Sequence, residues 1–180
     1  ADVMKALWTL FWQICQLRRG PEDVPYSVQL LVLLAVLDVA LGIGGQLLAS
    51  PDRLRIAVSL TLLAVVMDAA VFWGLLWFKR LQARWVQGLT TIFGIDLLLG
   101  LVALPLTLLS HVVEPKSVMI GLVVVAQMLL VGWNIGLRGF VFHRALNIGL
   151  LLGNMLSLAL FMLNIFISIQ LFPELVPVKG

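Results

Sequence analysis

The stretch SVQLLVLLAVLDVALGIGGQLL, from Ser27 to Leu48, decides the fold. It is long enough to cross a hydrocarbon core, which takes about 20 helical residues, and it carries one charge, Asp38, near its centre. It shows no alternation of period two, and lipid offers no partner for a free backbone N–H or C=O, so the segment is predicted to be a transmembrane helix.

Four more runs of the same kind follow, at about 56–78, 86–109, 118–137 and 145–172. Among 180 residues 62% are hydrophobic and 12% charged, against roughly 25% charged in a soluble domain, so most of the chain belongs in lipid. The expected fold class is all-α: a polytopic membrane protein with a five-helix transmembrane bundle over 21–180 and an N-terminal segment, 1–20, outside it. The short connections hold most of the charges, among them Arg53 and Arg55, Lys79, Arg80 and Arg84, and the segment Arg138 to Arg144.

Lys5, Arg18, Arg19, Lys79, Arg80, Arg84, Arg138 and Arg144 fall on one side of the membrane, and Arg53, Arg55, Lys116 and Lys179 on the other. Eight against four places the N-terminus in the cytoplasm and, with five spans, the C-terminal tail from Pro173 outside. The expected location is the cell inner, plasma, membrane. Residues 4–19, MKALWTLFWQICQLRR, are too short to span and lack a small-residue cleavage site, so they are read neither as a span nor as a signal peptide, with the start placed at Met4. Lys5, Thr9, Gln13 and Gln16 form one narrow polar stripe, which predicts an amphipathic interfacial helix or one docked on a partner. Gly20-Pro21 ends it.

The first and third runs match at an offset of 58 residues: V-Q-x-L, then D-x-x-L-G-x-x-[GA], pairing Asp38 with Asp96, Gly42 with Gly100 and Gly45 with Ala103. This suggests a helical hairpin repeated in parallel. Gly42, Gly45, Gly100 and Ala103 follow each Asp at i+4 and i+7, a smooth stripe suited to close helix packing.

Every span has a polar centre: Asp38, Asp68, Asp96, Gln127 and Asn154. Three Asp at helix centres cost on the order of 8–10 kcal/mol on the insertion scale, so something must offset them. With every Lys and Arg assigned to loops or interfaces, no counter-charge is expected at their depth. The aspartates are then either protonated or hold a cation, and the five residues form a candidate proton- or ion-binding site. Gln127, Asn134 and Arg138 share one face of the fourth span, and Asn147, Asn154, Ser157, Asn164 and Ser168 one strip of the fifth. Pro105 is expected to kink or interrupt the third span.

Other chemistry is missing. His111 and His143 lie at opposite membrane faces, about 30 Å apart, too far to share a haem. No zinc-protease, serine-hydrolase or phosphate-loop motif is present, and Cys15 is a lone thiol. The expectations are therefore no catalytic residue, no metal, no cofactor and no nucleic-acid partner. The function expected is transport or permeation by binding protons, a cation or a polar headgroup. The alternative is a noncatalytic accessory or scaffold subunit of a membrane complex. Membrane lipids and a second copy or another membrane protein are the expected partners.

Overall fold

The structure, a computed structural model, describes residues 2–114 and 117–173, with the side chains of 2–4 and 49 left aside. Lys116, Lys179 and the tail beyond Pro173 lie outside the described residues. Among the described residues there are six α-helices: α1 (Asp2–Cys15), α2 (Val28–Ala49), α3 (Leu54–Phe78), α4 (Trp85–Val112), α5 (Val118–Leu146) and α6 (Leu150–Leu171). The last five are long and apolar enough to cross a membrane. Short 3-10 turns at Pro21–Asp23, Pro51–Arg53 and Gln82–Arg84 join several of them.

Local chemistry sets the boundaries. The Ser27 side chain accepts the Leu30 N–H at 3.2 Å and that of Ser117 accepts the Ile120 N–H at 3.3 Å, capping α2 and α5. Leu17, Arg80 and Asn147 take left-handed conformations, with φ of 59°, 57° and 51°, just past α1, α3 and α5. The fourth span was expected to end at Leu137 and the fifth to begin at Ala145; α5 instead runs to Leu146 and α6 starts at Leu150. A helix stops where its backbone turns, here at Asn147, and basic residues such as His143 and Arg144 favour a last turn. Arg138 therefore sits two turns inside α5, not in a loop. Pro105 does not interrupt α4, which continues through it.

The five long helices form a ring in the order α2, α4, α5, α6, α3, closing back on α2, with α3 also touching α4 and α5. The end of the ring nearest α1 comprises the start of α2, α4 and α6 and the finish of α3 and α5. There Phe72, Leu76, Ile92, Ile95, Leu137, Val141 and Phe142 are fully enclosed, and the Phe72 and Phe142 rings stack at 5.7 Å. Glycines permit the close approaches: a Cβ at Gly88 would collide with the Phe72 ring and one at Gly139 with Asn154 of α6. Thr90 and Thr91 donate to the carbonyls of Val86 and Gln87 at 2.6 and 2.7 Å, so these buried hydroxyls are satisfied within α4.

α1 docks on this end of its own bundle. Phe11 fits over Gly94, Ile14 and Cys15 are buried, and the Trp133 indole N–H donates to the Cys15 carbonyl at 3.1 Å. Trp8 and Trp12 remain exposed.

Candidate functional site: a polar vestibule with an ion-paired floor

Helix α2 brings Asp38, α3 brings Asp68, α4 brings Asp96 and α5 brings Arg138 to the middle of the ring. Arg138 grips Asp96 with its Nε and Nη2 edge, Nε donating to Oδ1 at 3.2 Å and Nη2 to Oδ2, while its Nη1 reaches Asp68 Oδ2 at 2.9 Å. Asn134, one turn earlier on α5, donates to Asp96 Oδ1 at 2.7 Å. The expectation that no cation shares the depth of the aspartates is corrected here: a guanidinium bridges two of the three. A bidentate, charge-assisted pair is the geometry that offsets desolvation best.

Asp38 has no ion-pair or hydrogen-bond partner among the described residues. It lines a cavity of about 480 Å³ together with Asp68, Asp96 and Arg138, so the ion pairs form the cavity floor. Its walls carry Gly42 and Gln46 of α2, Thr61 and Ala64 of α3, and Asn164 and Ser168 of α6. Gln46 donates its amide N–H to Thr61 Oγ1 at 3.1 Å, and Ser168 donates its hydroxyl to Asn164 Oδ1 at 3.4 Å. All these wall residues belong to the half of the ring away from α1, so the vestibule leads from the floor toward the far end. The stacked rings of Phe72 and Phe142 lie one turn beyond Asp68 and Arg138 on the near side.

Of the five residues expected to share one site, the structure brings three into this cavity. Gln127 lines a separate groove of about 330 Å³ between α4 and α5, with Gly100, Ala103 and Thr107, touching the vestibule only through Asp96. Asn154 lies in the second turn of α6, since that helix begins at Leu150, and packs on Gly139. Its Oδ1 and the Ser157 Oγ are buried without a protein hydrogen bond. The glycine stripe lies between helices. A Cβ on Gly42 would stand 3.0 Å from Thr61 Cγ2, and one on Gly100 would stand 2.6 Å from Leu41 Cδ2, whereas Gly45 has room, with Leu104 Cδ2 at 4.0 Å.

Arg138 of the floor and Asn134, which braces Asp96 from the neighbouring groove, were not among the predicted site residues. Their signal was available: they lie at i+11 and i+7 from Gln127, on the face already read as polar. Among the described residues no group of three His, Cys, Asp or Glu is placed to hold a metal ion, since Arg138 stands between the carboxylates. Compared with protein-family models, with curated proteins and with solved structures, the chain finds no match in any of the three.

Proposed function

We propose that this multi-pass membrane protein serves transport or permeation, with Asp38 as the group that takes and releases a proton or small cation at the base of the vestibule. The observation that carries the reading is the asymmetry of the charge cluster. Asp68 and Asp96 are tied to Arg138, and Asp38, facing the same cavity, is tied to nothing among the described residues. Intramembrane acids that lack a structural partner are functional candidates, because folding alone gives no return on the cost of placing them in lipid. Gln46, Thr61, Asn164 and Ser168 supply oxygen ligands or water contacts along the way.

The cytoplasmic N-terminus, the inner-membrane location, the interfacial position of α1 and assembly into oligomers belong to the same proposal. Removing Arg138 from the loop count leaves seven basic residues against four, so the topological argument keeps its sign. The parallel hairpin repeat is supported by α2 and α4, the two helices sharing D-x-x-L-G, each contributing an Asp at the floor.

Proteoliposomes carrying a pH-sensitive dye test the reading. An imposed proton or monovalent-cation gradient should dissipate faster with protein than without, and Asp38→Asn should remove that flux while leaving the purified protein folded. Undiminished flux in Asp38→Asn would reject Asp38 as the exchanging group. Absence of flux in any lipid, with specific copurification of another membrane protein, would favour the accessory-subunit reading.

A further inference from the structure

A second polar cavity, of about 460 Å³, lies at the α1 end, away from the vestibule and independent of its function. Pro21, Gly88, Ala145 and Ile148 wall it, and Arg84, Arg144, Glu22, His143, Gln87 and Asn147 supply its polar groups. We propose that this cavity binds a phosphate group, presented by the headgroup of an anionic phospholipid.

The argument starts from how Arg84 is held. Its Nη1 donates to the Arg144 and Ala145 carbonyls at 3.3 and 3.1 Å and to Asn147 Oδ1 at 3.1 Å, which closes the end of α5 and immobilises the guanidinium. The Nε and Nη2 edge, the one that matches two phosphate oxygens, has no partner among the described residues. Arg144, over the Phe140 ring, uses its Nη2 on Glu22, and its other nitrogens have no partner among the described residues. That ion pair is about half exposed on both sides, 46% and 49%, so it contributes little and yields to a competing anion. Two guanidiniums against one carboxylate keep the cavity positive.

Its place in the fold points to lipid as the source. All six tryptophans, Trp8, Trp12, Trp73, Trp77, Trp85 and Trp133, belong to α1 or to the halves of α3, α4 and α5 that face or adjoin this end. Indole rings collect at the headgroup level of a membrane. Beside Ile148, α6 starts at Leu150 behind an N-cap Gly149 that offers no side-chain cap, leaving its first N–H groups oriented to favour negative charge.

The test is thermal unfolding of the purified protein in a neutral detergent with added phosphatidylglycerol, phosphatidylcholine of the same acyl chains, or inorganic phosphate. Phosphatidylglycerol should raise the melting temperature by about 5 °C over phosphatidylcholine at saturation. Arg144→Gln should lose most of that rise, and Lys79→Gln, an exposed cation at the same end but outside the cavity, should keep it. Arg84→Gln also uncaps α5, so Arg144→Gln is the deciding variant. A rise with inorganic phosphate alone supports the phosphate chemistry from a soluble source. Equal effects of the two lipids, or equal losses in Arg144→Gln and Lys79→Gln, would overturn the proposal.

Discussion

The two ends of the helix ring are built from the same apolar alphabet and packed to different degrees. Near α1, the buried residues of α4 run from Val86 to Leu99, and those of α5 from Leu137 to Leu146. Beyond them, between Val118 and Gly136, only Val123 of α5 is buried, and α4 has none past Leu99. The difference follows from what each end can interdigitate. The near end has aromatic rings set over glycines, Phe72 on Gly88 and Phe11 on Gly94, and a sixth helix lying across it. At the far end Gly44 and Gly121 meet nothing within 4 Å, and polar walls replace apolar ones between α2, α3 and α6. Because lipid tails are as apolar as leucine, hydrophobicity does not pull these helices together; fit and hydrogen bonds do. A ring that is knit at one end and open at the other holds a vestibule without losing its fold.

The sharpest way to break this contrast is at its boundary. Arg138→Leu leaves two carboxylates uncompensated where the packed and open halves meet, and should cost about 3–5 kcal/mol or prevent folding, read by thermal unfolding in detergent. Adding Asp68→Asn and Asp96→Asn to that variant should restore most of the loss, which separates broken charge pairing from lost packing. Similar in size, Phe72→Ala should destabilise by about 3–5 kcal/mol, since it empties an enclosed site. Its counterpart Phe166→Ala, on the exposed face of α6, should change stability by less than about 0.5 kcal/mol. A comparable loss at Phe166 would mean that the far end is packed after all. The smallest expected contrast uses the glycines. Gly100→Val, pressed by Leu41, should cost about 1–3 kcal/mol, and Gly121→Val, with open space around it, close to nothing.

Much of this was legible from residue order alone. Span length and hydropathy located five helices, and helical spacing put Gln127, Asn134 and Arg138 on one face. What misled was charge: Arg138 precedes His143 and Arg144, and a cluster of basic residues reads as a loop. Whether an arginine lies in a loop or pairs with acids on neighbouring helices depends on which helices are adjacent. Asp68 and Asp96 lie 42 or more residues from Arg138, and no local pattern announces such a partner. Asn154 was misplaced in depth for the same reason, since moving the turn to Asn147 shifts the whole start of α6. The placement of α1 was undecided between lipid and protein because its apolar face suits both, and Gly94 became its seat only once α4 was folded.

The central claim is that water reaches the charged floor from the far end alone. Single-cysteine accessibility to a membrane-impermeant thiol reagent, applied separately to each face of oriented vesicles, tests it most directly. Cys15 serves as an internal reference, since burial, with Asp96 nearby, pushes its thiol up to about 11 and it is 3% exposed. Its thiolate is scarce at pH 8 and its sulfur is enclosed, so it should stay unmodified until the protein unfolds. Ser168→Cys and Thr61→Cys, on the vestibule wall, should react from the face opposite α1 and not from the other, and Thr90→Cys, enclosed beneath the floor, should react from neither. Labelling of Thr90→Cys from the α1 face at the rate of the wall positions, or protection of both wall positions from both faces, would contradict the account.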